Sequence, residues 1–258
     1  MRQVLWLSRL YLLGNLRRQI PLATVALALV LLFLPSYVEA FSLGLSSFER
    51  VAKDFGLSAV TYFAVGLAVL IGSTTLRQDL ESRALYNLLA RPVSRRAYLG
   101  AHLLALLVLL AGSLLLLDAC FTLALALKTQ RFDASVSIAI YGCFWQACLV
   151  GAFCLLASVR CSPPLAGTIG VAVFLIGNLS PAFIRFFLIE DRDSLASATL
   201  ARSLKSVLPD LALFDLKDWA VHALSLPPGY LGAVSYYGVG WLLLVLLLAQ
   251  GAFQRLDL

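Results

Sequence analysis

The feature that most constrains this chain is a recurrence of six apolar runs, near residues 20–41, 57–76, 98–127, 134–159, 163–189 and 231–253, each with at most one charged side chain. A hydrocarbon core about 30 Å thick is crossed by roughly 20 residues of α-helix. Inside it the backbone has no water to bond, so only helices and closed barrels can span it. None of the runs shows the roughly ten-residue alternation of a membrane barrel. The pattern therefore predicts an all-α polytopic membrane protein with six transmembrane helices, residues 1–258 forming one membrane domain. With 61 % hydrophobic and only 13 % charged residues, an ordinary soluble domain is excluded.

Basic residues are distributed unevenly between the connectors, and this bias sets orientation. Arg2, Arg9, Arg17, Arg18, Arg77, Arg83, Arg91, Arg95, Arg96, Arg160 and Arg255 fall on one side, against Arg50, Lys53, Lys128 and Arg131 in the two short loops of the other. Both termini are predicted to be cytoplasmic. The net charge of +6 is then mostly topogenic, with no call for nucleic acid. Residues 1–19 mix Trp6, Tyr11 and leucines with four arginines, the composition of an amphipathic elbow helix on the membrane surface. "LPSYVEAF" places Val38 and Ala40 as in a signal-peptidase site, but the long basic stretch before it and Glu39 at the cut favour a retained first span.

Glu49, Arg50, Lys53 and Asp54 predict a loop of about 15 residues between the first two spans. "KTQRFD" predicts a tight antiparallel pair of the third and fourth. Pro163 and Pro164 suit the first turn of the fifth span, and Gly177, Asn178 and Pro181 in "GNLSP" predict a kink or an unwound point within it. The 190–230 segment, with "LALFDLKDWAVHAL", predicts short amphipathic helices lying over the outer face.

Residues 76–105, "LRQDLESRALYNLLARPVSRRAYLGAHLLA", crowd five arginines, two acids and a proline between two apolar runs. At helical period Leu76, Leu80, Ala84, Leu85, Leu88 and Leu89 share one side. Pro92 discourages helix at Arg91, and Ser94 is placed to cap the next one. The segment 77–97 is thus either a solvated connector that sets topology or a compact cytoplasmic elbow that another surface can grip.

Glu81, Leu88, Leu89, Pro92, Val93, Ser94 and Arg95 match the cytoplasmic loop of type-2 ABC transporter permeases, which the chain resembles: an acid, a Leu-Leu pair, then Pro-Val-Ser-Arg before an apolar span. The layout is similar throughout, and the loop, "LPDLALFDLKD" and the tail are most like the subgroup linked to nitrous-oxide reductase and multicopper-enzyme maturation. The resemblance implies that Glu81, Leu85, Leu88, Leu89, Arg91, Pro92, Ser94 and Arg95 form a coupling helix docked on a cytoplasmic ABC ATPase subunit. It implies a homodimer of this chain in a bacterial inner membrane, working as an exporter. This sequence departs from the pattern with His102 where many members carry lysine and Arg83 where many carry glycine. No G-x-x-x-x-G-K-[ST] loop occurs, so ATP and magnesium belong to the partner and no cofactor is expected here.

Asp118 and Arg185 are the candidate intramembrane polar residues, either a structural ion pair at similar depth or groups that gate a path. Cys143, Ala147 and Gly151 make a small-residue seam for close helix packing, within the chain or between copies. Cys143, Cys154 and Cys161 fall on one face of the fourth span, as packing residues or as a thiol or copper relay. Asp210, Asp215 and Asp218 form either a solvated turn or a cation site. With only His102 and His222 and no nucleophile motif, an intramembrane enzyme is the weakest reading, and neither catalytic nor metal residues are assigned. A permease that moves no solute but transmits force to a periplasmic partner stays open beside export.

Overall fold

The computed structural model describes residues 7–12, 14, 20–41, 48–81, 95–190 and 209–254. Among these every regular element is a helix. Residues 7–12 are helical, followed by α1 (Ile20–Phe41), α2 (Phe48–Glu81), α3 (Arg95–Thr129), α4 (Ala134–Ser158), α5 (Pro163–Glu190), a 3-10 turn (Leu211–Phe214), α6 (Lys217–Val221) and α7 (Tyr230–Gln254). Five helices have stretches long and apolar enough to cross a membrane: Ile20–Glu39, Phe48–Leu76, Ala97–Thr129, Ala134–Ser158 and Tyr230–Phe253. In α5 the described apolar part is Pro163–Leu179.

α4 is the centre of the bundle. Its most extensive interface is with α2, and it also packs on α3, α5 and α7, while α1 lies against α2 and α3. Small residues allow the close approach. A Cβ on Gly72 of α2 would meet the Gly151 carbonyl oxygen of α4 at 2.6 Å, and one on Gly151 would meet Leu106 Cδ1 of α3 at 2.8 Å. Cys143 completes that seam with a 3.0 Å contact to Thr61 Oγ1 of α2. The seam is therefore internal to the chain. Cys154 faces α5, where its sulfur occupies the space a Cβ on Gly170 would need. Cys161 does not continue this face. α4 ends at Ser158, and the N–H groups of Arg160 and Cys161 both turn back to the Ala157 carbonyl, 3.1 and 2.9 Å away.

Two predicted breaks are not present. Phe48 already begins α2, so the cluster Glu49–Asp54 is helical and not a loop. Glu49 stands in the first turn, where an acid complements the helix dipole, and Lys53 bonds it one turn later at 2.6 Å. Likewise α5 runs unbroken through Gly177, Asn178 and Pro181 to Glu190. The prolines at its start take the first turn as expected.

At the opposite end of α2, Tyr11 from the 7–12 helical segment packs at a tilt on His102, ring centroids 3.9 Å apart, and meets Tyr98 edge-on at 6.3 Å. Tyr98 in turn stacks on Phe253 of α7 at 6.0 Å. Together with buried Leu76, Leu99 and Val159 this makes a second, smaller core. It fastens the N-terminal segment to α3 at the end from which residues 82–94 depart.

Candidate functional site

The segment between α5 and α7 does more than lie over the bundle: of its described part, 209–229, the stretch 209–221 is seated in it. Leu211 and Phe214 are fully buried, and Leu216 and Ala220 are buried too. Two glycines make the seat. A Cβ on Gly142 of α4 would stand 2.1 Å from the Phe214 carbonyl oxygen, and one on Gly177 of α5 would meet Leu211 Cγ at 2.7 Å. Gly177 and Asn178, which suggest a break in sequence, instead accommodate this segment.

Polar bonds fix its backbone within the apolar surroundings. Gln146 of α4 donates through Nε2 to the Leu211 carbonyl at 2.9 Å and to Asn178 Oδ1 at 3.2 Å. Tyr237 of α7 accepts from the Asp210 N–H at 2.9 Å, and Tyr230 donates to the Leu213 carbonyl at 2.8 Å. Phe214 lies between Trp145 and Tyr237, with centroids at 6.5 and 5.9 Å. A segment without its own sheet or long helix must borrow backbone partners, and these side chains supply them.

A rim of ion pairs surrounds this end. Lys53, only 4 % exposed, bonds both Glu49 and Asp133, the N-cap of α4. Lys217 reaches across to Asp54 of α2 at 2.9 Å and donates to Ser58 Oγ at 3.1 Å. Lys128 pairs with Glu39 at 2.6 Å, joining the ends of α3 and α1. Burial pushes the Asp133 carboxyl up, but the Lys53 hydrogen bond and the Ser135 backbone N–H more than offset this and hold it below its ordinary range. Hydrogen bonding to Asp54, opposed by burial, raises Lys217 above its ordinary value.

Asp118, the sequence-predicted intramembrane acid, is half-buried on α3 and accepts from Ser137 Oγ of α4 at 3.0 Å. Arg185 falls within α5, and its side chain lies outside the described residues. α5 packs on α2 and α4, whereas α3 packs on α1, α2, α4 and α7. Of the coupling residues, Glu81 closes α2 and Arg95 opens α3, both described in backbone only. Leu85, Leu88, Leu89, Arg91, Pro92 and Ser94 lie outside the described residues. Asp215 accepts from the Lys217 N–H at 3.3 Å, and no metal-binding group of three or more acids, histidines or cysteines occurs among the described residues.

Of the residues that organise the 209–221 segment, Gly177 and Asn178 stand out in the sequence, though as a break, whereas Gly142, Gln146, Tyr230 and Tyr237 are not singled out. Among these four, Gln146 is the one with a visible signal, an amide in the middle of an otherwise apolar span. The fold defines a class: a helical protein with several apolar helices of membrane-spanning length, compatible with a multi-pass membrane protein. No family model matches the chain, and no curated protein does.

Proposed function

We propose that this chain is the membrane-spanning permease subunit of an ATP-driven exporter, a six-span protein working as a dimer with a separate cytoplasmic ATPase. The observation that carries this reading is the stretch Glu81–Arg95, with its Leu88-Leu89 pair and Pro-Val-Ser-Arg run, set between two long helices. α2 stays helical to Glu81, beyond its apolar part, and α3 already begins at Arg95. A load on residues 82–94 would therefore enter two continuous helices of 34 and 35 residues. At about 1.5 Å per residue each is about 50 Å long, well over the thickness of a bilayer core.

The far end of α2 carries Lys53, Asp54 and Ser58, which hold the α3–α4 turn and Lys217. One helix thus links the proposed coupling loop to the seated 209–221 segment. Stiff elements that touch both sites are the physical requirement for coupling. In this reading residues 1–19 form the surface elbow, 77–97 the coupling segment and 190–230 the outer-face segment, in a bacterial inner membrane with both termini cytoplasmic.

The ionic tie between α2 and Lys217 equally supports force transmission to a periplasmic protein without solute movement. The two are separated in proteoliposomes: stimulation of ATP hydrolysis by cargo indicates export, and stimulation only by a periplasmic protein indicates transmission. The coupling assignment itself is tested by Leu88→Asp and by Arg95→Glu. Both are expected to abolish stimulation of the ATPase while leaving the protein folded in the membrane. Undiminished stimulation in both variants overturns the assignment.

A further inference from the structure

A groove of about 260 Å³ opens on the bundle surface between α3 and α4, lined by Leu114, Leu115, Asp118, Ser137, Tyr141 and Phe144 among others. Asp118 lies ten residues before Lys128, about 15 Å along the helix. Its partner Ser137 lies four residues beyond Asp133 of the ion-pair rim, about 6 Å along α4, so Asp118 sits among apolar side chains about one turn inside that rim. An ionised carboxylate among apolar side chains is disfavoured without compensation. Ser137 satisfies one carboxylate oxygen, Oδ1. The Tyr141 hydroxyl is already engaged with Ser235 Oγ at 2.5 Å. Among the described residues no lysine or arginine lines the groove.

The groove therefore offers one carboxylate, one fixed hydroxyl donor, two aromatic side chains and aliphatic walls, and it opens on the outer surface of the bundle. Charge complementarity selects a cation, and the lining selects one with an apolar body. Aromatic faces add attraction for an ammonium group through their quadrupoles. The volume is below the usual range for a complete drug-sized ligand, about 300–1,000 Å³. It suits the head and first part of a chain whose remainder stays in the bilayer.

We propose that the α3–α4 groove is a binding site for a protonated lipophilic amine, entering sideways from the membrane, with Asp118 as its counter-ion and Tyr141 and Phe144 as its walls. The site belongs to this chain alone and goes beyond the permease reading, so it is testable with no motor subunit present.

The full chain is placed in phosphatidylcholine nanodiscs, and binding of dodecylammonium is measured against empty discs, with dodecanol as the neutral analogue. A saturable component is expected for dodecylammonium, at least tenfold weaker in Asp118→Asn and at least tenfold weaker for dodecanol. Leu115→Trp fills the groove while keeping the carboxylate, and it is expected to weaken binding similarly, which covers the case in which Asp118→Asn does not fold. Equal binding by folded Asp118→Asn, or equal binding of dodecanol, overturns the proposal. Binding that appears only in Arg185→Gln overturns it by making Arg185 the existing ionic partner of Asp118. Absent binding in a wild-type dimer that Asp118→Asn splits overturns it by making a second copy the occupant.

Discussion

Replacing Gly142 by alanine tests the seating of the 209–221 segment at its tightest point. The added Cβ would stand 2.1 Å from the Phe214 carbonyl oxygen, 3.3 Å from its carbon and 3.4 Å from Leu216 Cδ1. The nearest atom is backbone and cannot rotate away. Restoring even 3.0 Å requires the chain at Phe214 to retreat by about 1 Å, and Leu211 and Phe214, both fully buried, move with it. Overpacking of this kind costs about 1–3 kcal/mol, and near the upper end where backbone must shift. The helix-propensity gain of alanine over glycine, about 1 kcal/mol, offsets part of it. A net loss of about 2 kcal/mol remains, which raises the local opening equilibrium about thirtyfold. Hydrogen–deuterium exchange of residues 209–221 in detergent micelles reads this directly. Gly112→Ala is the control, because nothing lies within 4 Å of its Cβ, and it is expected to leave exchange of the segment unchanged. Protection of 209–221 in Gly142→Ala equal to wild type would refute the described seat.

Gln146→Leu removes the donor to the Leu211 carbonyl and to Asn178, leaving buried polar atoms unpaired at about 1–3 kcal/mol; exchange at 209–214 is expected to rise while the far end of the bundle is unaffected. Lys53→Met separates Asp133 and Glu49 from their shared cation, and because both carboxylates are partly exposed the loss in thermal stability is expected near 1–2 kcal/mol, below the figure for a fully buried pair. Adding Asp133→Asn to Lys53→Met is expected to recover part of it, and a further full loss would speak against the pair. Stability should also depend on pH at both extremes. Asp133 is held below its ordinary value of 3.8, so its contribution is complete above that pH and lost as pH falls through the folded-state value. Lys217 is raised above 10.5, so its contribution is complete below that pH and lost as pH climbs through the folded-state value. Unfolding midpoints across pH 3–11 in wild type, Asp133→Asn and Lys217→Met check both signs.

The helices are legible in the sequence because a long apolar run has few other ways to satisfy its backbone in hydrocarbon. Ile20–Phe41, Ala134–Ser158 and the two prolines that open α5 follow from local pattern alone. What local pattern misses depends on partners far along the chain. Glu49–Asp54 resembles a loop until Asp133, eighty residues later, is seen to bond Lys53. Gly177 and Asn178 resemble a break until Leu211 is seen packed against one of them, with Gln146 bonded to the other. The apolar residues of "LALFDLKDWA" suggest a surface helix, and only the notch at Gly142 explains how Leu211 and Phe214 enter the bundle. Asp118 is legible as an unusual intramembrane acid, whereas its bond to Ser137 comes from the tight α3–α4 turn.

The proposed permease role requires that a separate nucleotide-hydrolysing subunit grip residues 77–97. The most direct measurement is the turnover of an ABC ATPase without membrane spans, should a gene for one adjoin that of this chain, assayed alone and after reconstitution with wild type or Leu88→Asp in lipid. Complex formation and altered turnover with wild type, both lost with Leu88→Asp, are the expected result. An ATPase that neither co-isolates with wild type nor changes its rate would contradict the account.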